Sequence, residues 1–218
     1  MALAIFDLDN TLLGGDSDYL WGRYLAENGI VDPQHYHDTN LAFYQDYQSG
    51  RLDINAFLEF VFEPLAQNSM QDLLNWRTDY LQQKILPIIL PKGRELIEQH
   101  RQQGDILLII TATNSFLTTP IAELLNIKHL IATEPAIRDG RYTGEVDGVP
   151  SFQHGKVTRL NDWLTEHQQT LAGSYFYSDS HNDLPLLEQV AIPIAVDPDD
   201  KLAQIADERN WKILSLRE

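Results

Sequence analysis

The sequence predicts an α/β fold, a doubly wound and mostly parallel sheet with a helical cap inserted after the first strand. Three observations predict it. A short apolar run occupies residues 2–8, and apolar runs of strand length alternate with helical segments beyond residue 87. Between these two regions, residues 16–86 contain amphipathic, aromatic-rich stretches and no strand-like run.

The first apolar run ends in turn-forming residues, as is typical of a buried parallel strand. Within the helical stretch, Pro33 and Asp53 are typical first-turn and capping residues of two helices. Pro87 and Pro91 then indicate a linker rather than the interior of a helix. We therefore predict a catalytic core made of residues 1–15 and 87–218, and a helical cap domain made of residues 16–86.

Beyond the linker, predicted strands and helices alternate, which implies a mostly parallel sheet with helices on both faces. The predicted strands are 106–110, 129–132, 174–177, 192–196 and 212–216. The predicted helices are 116–125, 155–167, 184–189 and 201–210. A hairpin turn is predicted at 138–141, between short strands at 136–137 and 142–143.

Composition excludes several classes of protein. The chain has 218 residues, 43% of them hydrophobic, which is too many for global disorder, and its lack of cysteine excludes thiolate metal sites and cysteine nucleophiles. The net charge of −16 argues against nucleic acid or an anionic membrane as a partner. The N-terminal sequence does not resemble a signal peptide, and no apolar run approaches the roughly 18 residues of a membrane helix. We expect a cytoplasmic monomer or small homo-oligomer.

Four polar stretches, at 7–11, 111–114, 155–156 and 178–183, are predicted to follow buried strands, at the sheet edge where α/β folds bind ligands. The carboxylates of Asp7 and Asp9 can face the same way and would repel each other unless a cation lies between them. Together with Asp179 and Asp183, they favour an oxygen-preferring divalent ion such as Mg²⁺. A threonine and a lysine nearby would complete a cradle for a phosphoryl group.

These motifs resemble, in order, the four motifs of the haloacid dehalogenase superfamily: Asp7-x-Asp9-x-Thr11, Thr111, Lys156 and Asp179-x-x-x-Asp183. The helical insertion directly after the first motif resembles the phosphoserine-phosphatase-like subgroup, subfamily IB, which carries a small helical cap. One residue departs from the pattern, since Ser178 stands where the family usually has glycine.

The resemblance implies a phosphomonoesterase that works through an aspartyl-phosphate intermediate and uses Mg²⁺. Asp7 would be the nucleophile, and Asp9 would protonate the leaving alcohol and later activate water. The carboxylates of Asp7 and Asp179 and the backbone carbonyl of Asp9 would ligate the metal, with Asp183 supporting it. A second aspartate in the first motif is typical of phosphatases rather than dehalogenases.

The resemblance also implies which residues bind substrate. Thr111 and Lys156 would hold the phosphoryl oxygens. Further substrate contacts are expected from the other polar residues of the motifs, namely Thr11, Thr113, Asn114 and Asn182. His181, within the fourth motif, is one more candidate for substrate contact.

In the phosphoserine phosphatases of this subgroup, an acid nine residues after the nucleophile binds the substrate ammonium, and Asp16 occupies that position here. The arginine that binds the substrate carboxylate has no counterpart, since the matching position is about Val61 and no arginine lies between Arg51 and Arg77. A bidentate arginine is not replaced by valine without a change of ligand. The resemblance thus implies an amine-bearing phosphate ester without a carboxylate.

Asp16, Asp18 and Trp21 would suit a flat cationic group through charge and cation–π contacts. Residues 15–22 also resemble a stretch of subgroup members taken to be histidinol phosphatases. Histidinol phosphate is therefore the leading expectation for the substrate, with phosphoserine as the alternative. Two structural alternatives stay open, since Trp21 could be a cap-core aromatic and Asp18 a helix cap.

Two other classes of function also combine such residues. A receiver-like phospho-aspartate signalling domain uses acids, a threonine and a lysine around Mg²⁺, but it does not need a long helical insertion. An inactive binding protein of the same fold would be free to lose any one of Asp7, Asp9, Lys156 and Asp179, and all four are present.

Overall fold

The computed structural model describes residues 2–217, so Met1 and Glu218 of the predicted core lie outside the described residues. Six strands form one parallel sheet in the order β3-β2-β1-β6-β7-β8, and the two others form an antiparallel hairpin. The strands are β1 (Leu3–Phe6), β2 (Ile106–Asn114), β3 (His129–Thr133), β4 (Pro135–Arg138), β5 (Arg141–Val146), β6 (Tyr175–Ser178), β7 (Ile192–Val196) and β8 (Lys212–Leu214). The predicted mostly parallel α/β sheet is confirmed.

Nine α-helices connect and cover these strands in the described part of the chain. They are α1 (Ser17–Glu27), α2 (Pro33–Ser49), α3 (Ile54–Gln67), α4 (Met70–Tyr80), α5 (Pro91–Gln102), α6 (Ser115–Leu124), α7 (His154–His167), α8 (Leu184–Leu187) and α9 (Asp200–Arg209). Within residues 2–217, none of the helices combines the length and the apolar character needed to span a bilayer.

The central strand β1 separates two apolar clusters. Its side chains alternate between the two faces of the sheet, so Ala4 and Phe6 join one cluster while Leu3 and Ile5 join the other. All four side chains are buried. Helices therefore cover both faces, and the end of β1 lies in the middle of the sheet edge.

The helices of the insertion begin at side chains that accept backbone hydrogen bonds: Asp16, Asp32, Asp53 and Ser69. As expected, Pro33 occupies the first turn of α2 and Asp53 caps α3. The apolar cluster that contains Phe6 continues without a break into these helices. The insertion thus packs directly on the sheet.

The two connections to the insertion run side by side. Leu13 and Ile89 form an antiparallel bridge, Gly14 donates to the carbonyl of Ile88 at 2.7 Å, and Leu90 donates to that of Leu12 at 3.1 Å. This pairing supports our proposal that residues 16–86 form a cap on a core made of residues 1–15 and 87–218.

Two predicted boundaries are wrong. Strand β2 continues to Asn114 rather than ending at Ile110, because its last residue still pairs with Thr133 of β3. The expected linker around Pro87 is instead helical, since turns at Leu81–Ile85 and Leu86–Ile88 follow α4 directly. Proline is tolerated there because it lies in the first turn of a helical segment, where its missing N–H has no partner to lose.

The start of helix α7 lies very close to the backbone of the loop that precedes it. A Cβ on Gly155 would lie 2.0 Å from the carbonyl oxygen of Pro150, so Gly155→Ala must displace the start of α7. We expect a loss of about 1–3 kcal/mol, or about 2–10 °C in Tm. Gly93→Ala is the matched helical control, because its Cβ would meet nothing closer than 3.4 Å. Equal Tm values for the two variants in thermal unfolding would contradict this close approach.

Candidate active site

The strand order explains how distant residues meet. Asp7 directly follows β1, and its N–H donates to the carbonyl of Tyr177 in β6 at 2.9 Å. Thr111 lies in β2 on the other side of β1, and Asp179 follows β6. Because the strands are parallel, all three side chains come to the carboxyl edge of the sheet. This edge carries the candidate site.

Lys156 bridges two buried carboxylates. Its Nζ donates to Asp7 Oδ1 at 2.8 Å and to the carboxylate of Asp183 at 2.8 Å. Ser178 Oγ also donates to Asp183, at 2.7 Å. Burial lowers the pKa of Lys156, but the two carboxylates outweigh burial and hold it above its usual value. Lys156 is thus a fixed cation beside the expected nucleophile.

The position of Lys156 differs from the expectation in one respect. It does not follow a strand, because it lies in the first turn of α7 and the loop after β5 precedes that helix. The side chain still reaches the sheet edge, since it is buried against the ring of Phe176 in β6, 5.9 Å from the ring centre. A helix therefore supplies one of the side chains at the sheet edge.

The carboxylates around Asp7 bring more negative charge than Lys156 alone neutralises. Burial raises the pKa of Asp7 to about 7; Lys156 opposes that rise, while the neighbouring carboxylates of Asp183 and Asp9 add to it. This is the environment of a carboxylate that gains from a further cation.

Asp9 is held in one orientation by three residues of α1 and β2. Its Oδ1 accepts from the N–H of Ser17 at 2.7 Å, and its Oδ2 accepts from Thr113 Oγ1 at 2.8 Å. Thr111 Oγ1 lies 3.4 Å from the same Oδ2. Burial raises the pKa of Asp9, and the hydrogen bonds from Ser17 and Thr113 oppose that rise. The Asp9 carboxyl group is therefore fixed before any ligand arrives.

Thr11 positions Asp179 rather than lining the cavity. Thr11 Oγ1 donates to Asp179 Oδ1 at 3.1 Å and accepts from the Asp179 N–H at 3.1 Å. The expected substrate contact of Thr11 is corrected accordingly. Burial, together with the charges of Asp7 and Asp183, raises the pKa of Asp179 well above its usual value.

These carboxylates fit a divalent cation. Asp7 raises the pKa of Asp179, so a cation between them would relieve a repulsion already present. Residues 2–217 contain no group of three or more histidine or acidic side chains arranged around one metal position. Two carboxylates and the Asp9 carbonyl do not require such a group. Asp183, whose carboxylate accepts from Lys156 and Ser178, remains expected to support this metal site.

A partly open cavity lies between this edge and the insertion. The core contributes its polar floor: Asp7, Asp9, Thr111, Ala112, Thr113 and Lys156. The insertion contributes its largely aromatic walls: Asp16, Asp18, Tyr19, Asn40, Phe43, Tyr44, Tyr47, Leu52, Ile54 and Phe57. The expectations for Thr113, Asp16 and Asp18 agree with their place in this lining. Asp179 borders a second cleft that shares Tyr44 and Tyr47 with the cavity.

Sequence reasoning missed the part of the lining that α2 and α3 supply. Asn40, Phe43, Tyr44 and Tyr47 lie three or four residues apart, which places them along one face of α2. This helical spacing is the signal in the sequence that could have found them.

Asp16 and Asp18 lie together at the start of α1. Asp16 Oδ1 accepts from the N–H of Tyr19 at 2.8 Å and caps the helix, so the alternative that Asp18 is the cap is wrong. Burial and the charge of Asp9 raise the pKa of Asp16 to about 7. Burial, Asp16 and Asp9 raise that of Asp18 well above its usual value. Both carboxyl groups therefore line the cavity without a protein cation beside them.

Two predicted substrate contacts lie elsewhere. Trp21 is 1% exposed and stacks on Tyr24, with 5.6 Å between ring centres, and the edge of Phe116 completes its surroundings. Asn114 caps α6, where its Oδ1 accepts from the N–H of Leu117 at 3.3 Å. Trp21 is thus a cap-core aromatic and Asn114 a helix cap, and neither is among the side chains that line the cavity.

Asn182 joins the sheet edge to the end of α2. Its Nδ2 donates to the carbonyl of Tyr47 at 3.0 Å, and its Oδ1 accepts from Gln153 at 3.1 Å. Lys201 Nζ donates to the carbonyl of Ser49 at 3.2 Å. These bonds hold the last turn of α2 from outside the helix. We call Asn182 and Lys201, with these two carbonyls, the α2 latch; it replaces the expected substrate contact of Asn182.

His181 supports the latch and is not part of the cavity lining. Its Nδ1 lies 2.7 Å from Asp199 Oδ2, and its Nε2 lies under Gly50, which ends α2 in the left-handed conformation at φ +72°. A Cβ on Gly50 would come within 2.8 Å of that Nε2. The histidine therefore fits only because residue 50 has no side chain.

Fold and site together define the class of protein. The haloacid dehalogenase-like hydrolase family model matches residues 4–188, and the chain belongs to this family. Over 99% of its length, it is 46% identical to a histidinol-phosphatase of Neisseria meningitidis serogroup C, of which it covers 99%. It is 30% identical, again over 99% of its length, to a phosphoserine phosphatase of Mycobacterium tuberculosis, of which it covers 71%.

Solved structures agree with this membership. The crystal structure of a protein of unknown function from Bordetella pertussis Tohama I is 43% identical, with a TM-score of 0.93 and coverage of 99% of this chain and 98% of that one. A substrate-bound phosphoserine phosphatase has a TM-score of 0.74 at 17% identity and coverage of 100% and 94%, a likeness in fold alone. The resemblance identified from the four motifs is thereby confirmed, as is the expectation of a hydrolase.

Gly50→Ala is expected to loosen the α2 latch. Both Gly50→Ala and Gly29→Ala put alanine at a positive φ, which costs about 1–2 kcal/mol, but a Cβ on Gly29 would meet nothing within 4 Å. Hydrogen–deuterium exchange over residues 44–52 should therefore speed up about 10-fold or more in Gly50→Ala and stay near wild type in Gly29→Ala. Equal exchange in the two variants would mean that the latch does not depend on His181 packing against residue 50.

Proposed function

We propose that the chain hydrolyses a small phosphate monoester with Asp7 as the nucleophile. The observation that carries this proposal is the contact of 2.8 Å between Asp7 Oδ1 and Lys156 Nζ on the floor of the cavity. One carboxylate oxygen attacks phosphorus, the bond to the ester oxygen breaks, and an aspartyl-phosphate forms. Water then attacks that phosphorus, releases phosphate and restores the Asp7 carboxylate.

The neighbouring side chains divide the remaining tasks. Lys156 has three N–H donors, of which two point to Asp7 and Asp183, so the third can bind a phosphoryl oxygen. Thr111 lies beside the same floor and supplies a hydroxyl donor. Asp9, fixed by Ser17 and Thr113, gives its proton to the leaving alcohol and takes one from the attacking water.

We also propose that Mg²⁺ is the cofactor. The carboxylates of Asp7 and Asp179 and the carbonyl of Asp9 would hold it. When bound, it offsets the negative charge of the carboxylates and of the phosphoryl group. This proposal rests on the family and on the repulsion between the carboxylates described above.

Asp7→Asn tests the nucleophile. The variant keeps the shape of the side chain but supplies no attacking oxyanion, so kcat on an aryl phosphate should fall by more than about 10³-fold. Asp139→Asn, on the exposed β4–β5 turn, is the control and should keep wild-type kcat. Activity of both wild type and control should require Mg²⁺ and disappear in EDTA. A folded Asp7→Asn variant with substantial turnover would contradict the assignment.

We propose histidinol phosphate as the substrate. Lys156 is the one cation in the cavity lining of the described chain, and Asp7 and Asp183 already engage it, which leaves no side chain to bind a substrate carboxylate. Asp16 instead offers negative charge to a substrate amine. The 46% identical relative from Neisseria meningitidis is named a histidinol-phosphatase, which supports the same substrate.

Other classes of function are less well supported. A receiver-like signalling domain does not need a substrate cavity lined by aromatic side chains. An inactive binding protein would not need the Asp7–Lys156 contact. A cytoplasmic location and a monomer or small homo-oligomer stay predictions.

A substrate panel decides between the two phosphatase candidates. Because no cation is free to bind a carboxylate, kcat/KM for histidinol phosphate should exceed that for phosphoserine by about 100-fold or more. Phosphoethanolamine and sugar phosphates, measured in the same assay, should fall well below histidinol phosphate. A clear preference for phosphoserine, which the 30% identical relative from Mycobacterium tuberculosis would suggest, would contradict the proposed substrate.

A further inference from the structure

The cavity contains a buried carboxylate that the hydrolytic step does not use. Asp18 is 6% exposed, and its Oδ1 forms no hydrogen bond with any described residue. Tyr36 Oη, also buried, likewise has no partner in the described part of the chain. Burial and then the charge of Asp18 raise the pKa of Tyr36. Because a buried polar atom without a partner is destabilising, a ligand group that pairs with the Asp18 oxygen in the cavity gains affinity.

The side chains around Asp18 define what such a ligand looks like. Asn40 lines the same cavity, and its Nδ2 donates to the carbonyl of Tyr19 at 3.0 Å, which orients the amide and leaves its oxygen able to accept a hydrogen bond. Phe43 and Phe57 also line the cavity, and their ring centres lie 5.5 Å apart in an edge-to-face pair. Two hydrogen-bond acceptors among aromatic rings suit a flat ligand with two N–H donors and a positive charge.

We propose that Asp18 and Asn40 form a subsite for the imidazolium ring of the substrate, separate from the amine that Asp16 binds. This inference rests on the proposed function, because the ring must arrive on a phosphate ester that Asp7 attacks. One ring N–H donates to Asp18 and the other to Asn40, while the ring faces pack against Phe43 and Phe57. The enzyme thereby recognises three separate groups: phosphoryl, amine and ring.

Fragments of the substrate separate these contacts. Wild type and Asp18→Asn are compared on histidinol phosphate, on 3-(imidazol-4-yl)propyl phosphate, which lacks the amine, and on 2-aminopropyl phosphate, which lacks the ring. Asp18→Asn should raise KM by about 10- to 100-fold for both ring-bearing esters and leave 2-aminopropyl phosphate within about 3-fold of wild type. Asp38→Asn, an exposed position on α2, should match wild type on all three.

Two further measurements keep the subsite falsifiable. Calorimetric titration with the product histidinol should show the same 10- to 100-fold loss of affinity in Asp18→Asn, independently of turnover. If Asp18→Asn does not fold, Asn40→Ser takes its place and should again weaken only the ring-bearing ligands. An equal loss on all three esters would reduce Asp18 to a structural residue and overturn the subsite.

The outcomes also distinguish this inference from the proposed function. If wild type prefers phosphoserine to histidinol phosphate, the proposed function fails, and the subsite fails with it. If wild type prefers histidinol phosphate but Asp18→Asn keeps wild-type KM for 3-(imidazol-4-yl)propyl phosphate, only the subsite is overturned.

Discussion

The ion pairs of Lys156 with Asp7 and Asp183 are the interaction on which the site depends. They join the end of β1, the first turn of α7 and the turn after β6, and Lys156 lies 149 positions from Asp7 and 27 from Asp183 in the chain. All three side chains are buried. Removing one partner would leave an uncompensated buried charge, which is far more costly than replacing the whole set by apolar residues. The charge balance of the site is therefore also a constraint on the fold.

The sheet edge and the inserted helices contribute different kinds of side chain to the cavity. The sheet edge supplies carboxylates, hydroxyls and one lysine, whereas the cap supplies aromatic rings and two further carboxylates. This division resolves how a chain of net charge −16 can handle a phosphate. The anion meets a small region where Lys156 offsets the local charge, as the proposed Mg²⁺ would, while the surrounding acids favour substrates that also carry a cation.

The sequence was enough to predict the parallel sheet, the insertion after β1 and the proximity of Asp7, Asp9 and Lys156. Alternating apolar runs locate the strands, and the spacing of the polar motifs locates the strand ends. The rest depends on tertiary choices that one sequence does not reveal. An asparagine side chain, such as that of Asn114 or Asn182, can equally well bind a ligand, cap a helix or donate to a backbone carbonyl. Trp21 suits core and ligand alike, and only packing against Tyr24 and Phe116 decides between them.

The α2 latch has a consequence for turnover. Helix α2 lines the cavity, and Asn182 and Lys201 hold carbonyls at its end, so a movement of this helix that opens the cavity further has to break those bonds to Tyr47 and Ser49. Such openings occur on the microsecond to millisecond timescale and often limit the rate of an enzyme. A step that displaces a whole helix through water is slowed by friction with the solvent. The maximal rate of a good substrate should therefore fall as solvent viscosity rises, whereas that of a poor, chemistry-limited substrate should not.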